Sequence, residues 1–166
     1  MPQEFSQNEE GREGPRARGR VLALDIGAKR VGVAVSDELR LSVRALPTLS
    51  RTSWKRLLNS VAELCECFDV KVVVLGLPLR LDGTEGDSAR EMRRVARNLE
   101  LSLRLPVKLQ DERLTSKAAE ASLRRQGFRA GQIAENVDGE AAAIILKDFL
   151  SEQGGSPTVR EGVTEL

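Results

Sequence analysis

Residues 21–37 read VLALDIGAKRVGVAVSD, and this stretch decides the fold. Four apolar residues run into Asp25, a short turn GAKR follows, and a second apolar run covers residues 31–35. Because the turn is too short for a crossover helix, the two runs predict an antiparallel β-hairpin with a carboxylate at the tip of its first strand. A third strand near residues 42–48 would extend it. Read alone, Asp25 is equally well explained as a turn residue that caps the hairpin.

After the hairpin, apolar residues no longer follow the pattern of a strand and recur every three or four residues, as on one face of a helix. The first helix is predicted to pack on the sheet through Trp54, Leu57, Leu58, Val61, Leu64 and Phe68. A second helix is predicted to begin with a capping box formed by Ser88 and Glu91.

Two further apolar runs, at residues 71–75 and 106–110, predict buried strands on either side of that second helix. Helices near residues 116–126 and 138–150 complete the chain. The order β-β-β-α-β-α-β-α-α indicates an α/β domain whose mixed five-stranded sheet is flanked by helices.

The predicted domain covers residues 19–151. Residues 1–18 and 152–166 are polar, have no apolar periodicity, and predict disordered tails. No apolar run is long enough to span a membrane, and the N-terminus lacks the apolar stretch of a signal peptide. We therefore expect a cytoplasmic protein without a membrane partner.

The amino-acid composition limits the kinds of catalysis that this chain could perform. The 166 residues carry 26 Lys+Arg against 25 Asp+Glu, a net charge of +1, and contain no histidine and no tyrosine. The absence of histidine excludes Ser-His-Asp and Cys-His catalysis and zinc sites that need imidazole. The only two cysteines, Cys65 and Cys67, exclude a disulfide framework. Catalysis would have to use carboxylates, Lys/Arg, hydroxyls, backbone amides and a metal held by oxygen.

Carboxylates occur at three places where such a site is expected in an α/β sheet. Asp25 ends the first strand, Asp111 and Glu112 end the last strand, and Asp138 lies at the start of the final helix on its core-facing stripe. Each has a purely structural alternative: Arg113 would neutralise the adjacent pair, and the helix dipole would favour Asp138. Together, clustered carboxylates without histidine predict a Mg²⁺ or Mn²⁺ site made of Asp25, Asp111, Glu112 and Asp138.

Residues suited to phosphate contacts surround these positions. Glycines and cations in the hairpin turn, the loop after the fourth strand and the segment after the fifth strand are the candidate substrate-binding residues: Gly27, Lys29, Arg30, Gly76, Pro78, Gly83, Thr84, Arg113 and Thr115. Residues 86–130 also hold more cations than acids, which indicates either a nucleic-acid track or a solvated helix surface.

Four ordered blocks resemble the YqgF family, also called RuvX. They are VLALDIGAKRVGVAVSD, VVVLGLPLRLDGTEG, KLQDERLTSKAAE and VDGEAAAIILKDFL, and the resemblance covers about residues 20–150. It implies a ribonuclease H-like fold and a divalent-metal nuclease that acts on precursor 16S ribosomal RNA or on Holliday junctions. It also implies that Asp25, Asp111, Glu112 and Asp138 are the acidic residues of the site. Arg80 and Ser116 stand where the family commonly has Asn and Thr.

These observations favour a nuclease that matures the 5′ end of precursor 16S rRNA, with a Holliday junction resolvase acting on branched DNA as the alternative. A resolvase needs two active sites and hence a firm dimer. The sequence shows no exposed apolar stripe that could form the interface of such a dimer, so we expect a monomer or a weak homodimer. An actin-like ATPase would need a second such domain. A catalytically silent RNA-binding scaffold is distinguished from the nuclease by metal-dependent cleavage.

Overall fold

The computed structural model describes residues 18–113 and 115–153 of the chain. Within that part the elements follow the predicted order: β1 (Arg20–Ile26), β2 (Arg30–Ser36), β3 (Val43–Ser50), α1 (Trp54–Cys67), β4 (Val70–Leu77), α2 (Asp87–Leu103), β5 (Val107–Asp111), α3 (Thr115–Arg125) and α4 (Ala130–Gln153). The strands form one sheet in the order β3-β2-β1-β4-β5. Strand β2 is antiparallel to β1 and β3, whereas β4 is parallel to β1 and β5. The predicted mixed sheet is confirmed.

Side-chain alternation along β1 divides the core into two layers. Leu22 and Leu24 pack with residues of α1 and α2, whereas Val21 and Ala23 pack with residues of α4. Because β1 is covered on both faces, its sequence is a continuous apolar run with no polar alternation. The same alternation places the next odd-numbered residue, Asp25, on the face that α4 covers.

Two predicted helix starts were wrong. Helix α2 begins after Gly86, which makes no side-chain capping hydrogen bond, and Ser88 lies inside the helix. Glu91, the other half of the expected capping box, pairs with Arg51 at 3.0 Å. Helix α4 begins at Ala130 and not near residue 138, because Ile133 is buried in an additional N-terminal segment. Asp138 therefore lies within the helix, beyond the first turn where the helix dipole acts.

The predicted ends of the domain and the predicted burial of Trp54 differ slightly from the structure. Helix α4 continues to Gln153, two residues beyond the predicted domain boundary. The expected tails otherwise lie outside the described residues, except for Arg18, whose backbone N–H donates to Glu38 O at 3.0 Å. Trp54 is the first residue of α1 and is 40% exposed, so it belongs to the surface and not to the core.

Candidate active site

Asp25 is placed by the hairpin that the sequence predicted. It is the sixth residue of β1, and across the hairpin it pairs with Gly32 of β2. Its side chain is half-buried under α4 at the carboxyl end of the strand. In sheets of this kind the carboxyl ends of parallel strands converge on one edge, and the end of β4 is next to it.

Glu112 reaches the same edge from the end of β5. Its backbone N–H donates to the carbonyl of Leu77 at 3.2 Å, which ties it to the end of β4. Its carboxyl group lies beside that of Asp25, near enough for a hydrogen bond when one of the two carries a proton. Gly76 makes room for it, because a Cβ built on Gly76 would lie 2.5 Å from Glu112 Oε2 and 2.8 Å from Ile145 Cδ1. Gly76 is a buried residue of β4, which is longer than predicted, and it is not part of the following loop.

Asp138 reaches the site from α4. The backbone of this helix lies so close to the hairpin that a Cβ on Gly32 would overlap the carbonyl group of Asp138. Arg30 Nε lies 3.1 Å from Asp138 Oδ2, in an ion pair whose arginine side chain is 58% exposed. That contact lacks the direction of a hydrogen bond. Asp138 Oδ2 is buried and, among the residues that the structure describes, accepts no hydrogen bond.

Burial and like charges raise the affinity of this group of carboxyls for protons. Desolvation raises the pKa of Asp25, and the negative charge of Asp138 raises it further, although the hydrogen bond with Glu112 lowers it. Desolvation, the hydrogen bond with Asp25 and the charges of Asp25 and Asp111 raise the pKa of Glu112 to about 9. Both shifts favour retention of a proton by the Asp25–Glu112 pair when no cation is bound.

Asp111 has a different environment although it precedes Glu112 directly. Its Oδ1 accepts a hydrogen bond from the backbone N–H of Arg113 at 2.9 Å, and its Oδ2 accepts one from Arg113 Nε at 2.8 Å. Burial acts to raise the pKa of Asp111, but these bonds and the charge of Arg113 outweigh it and lower the pKa. The structure thus brings Asp25, Glu112 and Asp138 together and neutralises Asp111 locally.

Within residues 18–113 and 115–153, no three His, Cys, Asp or Glu side chains are arranged so that they could hold a metal ion as they stand. The raised pKa values of Asp25 and Glu112 and the ion pair of Asp138 with Arg30 each reduce the negative charge at this edge of the sheet. Binding of a cation would have to displace the proton and shift these side chains.

The hairpin turn is the phosphate-binding candidate that lies beside the carboxylates. Gly27, Lys29 and Arg30 line an open pocket together with Asp138. All three turn residues are exposed. The turn is closed by a hydrogen bond from Gly27 N–H to Arg30 O at 2.9 Å, so that the two cationic side chains border the pocket.

The loop between β4 and α2 is more ordered than a glycine-rich sequence suggests. Arg80 N–H donates to Thr84 O at 2.9 Å, and both the backbone N–H and the hydroxyl of Thr84 donate to Asp82 Oδ1. Gly83 has a φ of +86°, a conformation that glycine adopts without strain. Pro78 precedes this turn and is half-buried. Thr115 is the first residue of α3, and its side chain lies outside the described residues.

The family model described as RuvX, Holliday junction resolvase, matches residues 19–152. The chain belongs to the RuvX family.

Curated relatives agree with this assignment. A protein of Syntrophus aciditrophicus (strain SB) is 46% identical over 131 residues, which are 79% of this chain and 87% of that protein. One of Anaeromyxobacter sp. (strain K) is 44% identical over 134 residues, which are 81% of this chain and 98% of that protein. Both are named "Putative pre-16S rRNA nuclease".

Two solved resolvase structures share the fold. Thermus thermophilus RuvC in complex with a Holliday junction substrate has a TM-score of 0.51 at 17% identity, covering 82% of this chain and 96% of that one. The fowlpox virus resolvase bound to Holliday junction DNA has a TM-score of 0.53 at 12% identity, and the match covers 81% of this chain and 98% of that one. The predicted ribonuclease H-like fold is confirmed for this RuvX member. No helix of the described residues is long and apolar enough to cross a membrane.

Sequence reasoning missed Gly32, the residue that allows α4 to approach the hairpin of this RuvX protein. The signal was present, because a glycine inside an apolar strand marks a close backbone approach. The position of Glu140 was left open by the sequence. Its Oε1 accepts a hydrogen bond from the hydroxyl of Ser122 on α3 at 2.6 Å, so its side chain is committed to the α3–α4 contact.

Proposed function

We propose that this RuvX protein is a divalent-metal-dependent nuclease that hydrolyses phosphodiester bonds, with Mg²⁺ or Mn²⁺ held by Asp25, Glu112 and Asp138. The observation that carries the proposal is the convergence of these three carboxylates on one sheet edge, from β1, the end of β5 and α4. Membership of a family described by a nuclease activity supports the same reaction class.

The residues present fit such a cation. All candidate ligands are carboxylate oxygens, the donors that hard divalent cations prefer. The buried Asp138 Oδ2 has no hydrogen-bond donor among the described residues, and a cation would satisfy it. Mg²⁺ or Mn²⁺ would supply a Lewis acid for the phosphate and lower the pKa of a bound water.

The protein's own groups have separate tasks in this reaction. The shared proton of Asp25 and Glu112 leaves when the carboxylates take up positive charge, so cation affinity should rise with pH. Lys29 and Arg30 line the pocket beside Asp138 and are placed to bind the phosphate next to the reacting one. Arg113 contacts Oδ1 of Asp111 through its backbone N–H and Oδ2 through its guanidinium, which favours Asp111 as a flanking charge over a direct ligand.

We further propose that the substrate is precursor 16S ribosomal RNA and that the protein acts in the cytoplasm on the 5′ end of that RNA. The printed name of the relatives at 46% and 44% identity supports this substrate. Branched DNA is the second candidate, because the family model is described as a Holliday junction resolvase.

The surface of the described residues favours RNA over a junction. Exposed large hydrophobic side chains are scattered over the β2–β3 turn, the start of α1, the loop after β4 and the end of α2: Leu39, Leu41, Trp54, Leu81 and Leu101. A resolvase needs a symmetric dimer to cut two strands, and scattered single residues do not form the apolar patch of such an interface. We therefore propose a monomer or a weak homodimer.

One experiment tests both substrates. End-labelled precursor 16S rRNA and a four-way DNA junction are incubated in parallel with the protein in Mg²⁺, Mn²⁺ or EDTA. We expect metal-dependent cleavage of the RNA near its mature 5′ end and much slower cleavage of the junction. Preferred cleavage of the junction, with light scattering that shows a stable dimer, would favour the resolvase. No cleavage of either substrate in any metal would overturn the proposed nuclease.

A further inference from the structure

The outward face of α2 carries a row of arginines. Positions 90, 94, 97, 101 and 104 recur at helical spacing, and all are exposed, whereas the opposite face packs into the core. Four of these five positions form what we call the arginine stripe: Arg90, Arg94, Arg97 and Arg104. At 1.5 Å per residue the stripe extends over about 21 Å.

The stability of the helix does not explain this row. Like charges at spacings of three and four residues repel one another, so Arg90, Arg94 and Arg97 disfavour the helix that carries them. Arg90 is compensated by Asp87. Arg94, Arg97 and Arg104 form no ion pair within residues 18–113 and 115–153. The nearby acids Glu91 and Glu100 are engaged elsewhere, Glu91 with Arg51 and Glu100 with the backbone N–H of Val107.

Arg104 is a second, independent anomaly. It is the C-cap of α2 and has a left-handed backbone with φ 55° and ψ 37°, the conformation for which helices normally use glycine. The other non-glycine residues with positive φ have visible reasons. Asp69 belongs to a type that tolerates this region. Arg40 donates through its guanidinium to the carbonyls of Gly19 and Arg18.

Among the described residues, the Arg104 side chain makes no comparable hydrogen bond. The helix dipole favours a cation at this end of α2. However, a cation at the exposed positions of Leu101 or Ser102 would also interact with the helix dipole and would not need a left-handed backbone. The backbone at this position therefore favours glycine, and no described contact of the side chain explains an arginine there.

The stripe begins near the edge of the sheet at which the carboxylates lie. Strand β4 ends at Leu77, whose carbonyl accepts the hydrogen bond from Glu112 N–H, and the following loop leads directly into α2. In that loop the guanidinium of Arg80 lies against Gly86, the N-cap of α2, since a Cβ there would lie 3.2 Å from Arg80 Nε. Arg80 and the arginine stripe thus extend positive charge from this edge along α2, and the intervening acids Glu85 and Asp87 are paired with arginines.

We propose that the arginine stripe binds the phosphate backbone of the nucleic-acid segment that flanks the cleavage site. This inference rests on the proposed nuclease function and deepens it. A row of exposed guanidinium groups complements phosphates, which supply the sequence-independent part of nucleic-acid affinity. The stripe contains no aromatic side chain on which bases could stack, so the contact is to the backbone. Its length corresponds to about six base pairs of a B-form duplex, at about 3.4 Å each.

The test compares two double variants that each remove two positive charges. Arg94→Gln/Arg97→Gln removes charges of the stripe, and Lys71→Gln/Lys147→Gln removes two exposed lysines outside it. Binding of labelled duplex-flanked RNA is measured by anisotropy over a salt series, in the Asp25→Asn background so that the RNA is not consumed. The RNA carries a flank either longer or much shorter than the stripe.

We expect the stripe variant to bind the long-flank RNA about tenfold more weakly and to reduce the slope of log affinity against log salt by about 1.5, since each phosphate contact contributes about 0.7–0.9. The lysine variant should match the Asp25→Asn parent, and the short-flank RNA should not distinguish the two. Equal losses for both double variants, or a loss that does not depend on flank length, would overturn the proposal.

Arg104→Gly is a test in which the stability of the protein and its affinity for RNA should not fall together. Glycine suits the left-handed C-cap, so the melting temperature should stay the same or rise, while affinity for the long-flank RNA falls. A variant with unchanged affinity would remove Arg104 from the stripe. Failure of the nuclease proposal is distinguishable, because then the unsubstituted protein would not cleave RNA in any metal. If it cleaves and these variants bind normally, only the stripe is refuted.

Discussion

Asp111 and Glu112 are neighbours in sequence, have the same functional group, and yet have opposite electrostatics. Arg113 holds Asp111 from its backbone and its guanidinium, and the pKa of that carboxyl is lowered. Glu112 lies over Gly76 against Asp25, and burial raises its pKa to about 9. The comparison shows that a pair of adjacent acids at a strand end is two separate sites. The carboxylate of Asp111 is neutralised by Arg113, whereas the carboxyl of Glu112 faces Asp25 and is our proposed cation ligand.

The largest effect expected from this comparison is on cleavage. Glu112→Gln should reduce the cleavage rate at least about a hundredfold, equivalent to about 3 kcal/mol in the barrier, because it removes a charge from the cation site. Asp111→Asn should reduce the rate less than about tenfold, since that charge is already neutralised by Arg113. Single-turnover cleavage of precursor rRNA in saturating Mg²⁺ measures both.

Asp25→Asn is the companion to Glu112→Gln in this experiment. It preserves size and hydrogen bonding while removing the charge that shares a proton with Glu112, so it should also abolish cleavage without unfolding the protein. If Asp111→Asn proved as damaging as Glu112→Gln, the assignment of Glu112 as the ligand would be wrong. If Asp25→Asn kept its activity and lost stability, Asp25 would be only the cap of the hairpin turn.

The next effect is on the pH dependence of stability without metal. Folded Glu112 keeps its proton to about pH 9, whereas in the unfolded chain it is lost near the ordinary value of 4.5. Between these values the folded state binds more protons, so the free energy of unfolding should fall as pH rises. We expect a loss of at least about 1.4 kcal/mol, the equivalent of a tenfold change in proton affinity. This corresponds to about 3 °C in Tm.

Melting curves in EDTA between pH 5 and pH 9, the window set by the cited values, measure this loss. Glu112→Gln should remove most of the slope. Asp111→Asn should keep it, because the lowered pKa of Asp111 places its own titration below the ordinary value of 3.8. Identical slopes in all three proteins would show that Glu112 is ionised in the folded state at neutral pH.

The same comparison separates what the sequence predicts from what it does not. Strand order, the hairpin and the position of Asp25 follow from local apolar patterns, because a strand buried on both faces has a recognisable sequence. Alternation also predicts that Asp111 and Glu112 point to opposite sides. Which of the two turns toward Asp25 depends on a glycine in another strand, Gly76, that leaves space for one carboxyl group.

The position of Asp138 was likewise predicted only in part from the sequence. Its inward-facing position was predicted from the apolar stripe of α4, but its place at the helix start was wrong because Ile133 extends the helix to Ala130. Its proximity to Asp25 depends on the missing side chain of Gly32, where helix and strand backbones touch. Such long-range contacts are not encoded in local periodicity.

The smallest effect expected is on the stability of Asp138→Asn. The change removes an ion pair with the largely exposed Arg30, worth up to about 1 kcal/mol, and also removes repulsion with Asp25. The two contributions oppose each other, so in EDTA the free energy of unfolding should change by less than about 1 kcal/mol. In excess Mg²⁺ the rise in Tm should be clearly smaller than in the parent protein, because a ligand oxygen has been lost.

Glu140→Gln is the matched control, since Glu140 lies on the same helix but bonds to Ser122 of α3. It should change stability equally in EDTA and in Mg²⁺ and leave the metal-induced rise in Tm intact. A rise in Asp138→Asn equal to that of the parent would remove Asp138 from the cation site. Only the hydrogen-bonded pair of Asp25 and Glu112 would then remain to hold the metal, and the buried Oδ2 of Asp138 would be assigned to its ion pair with Arg30 alone.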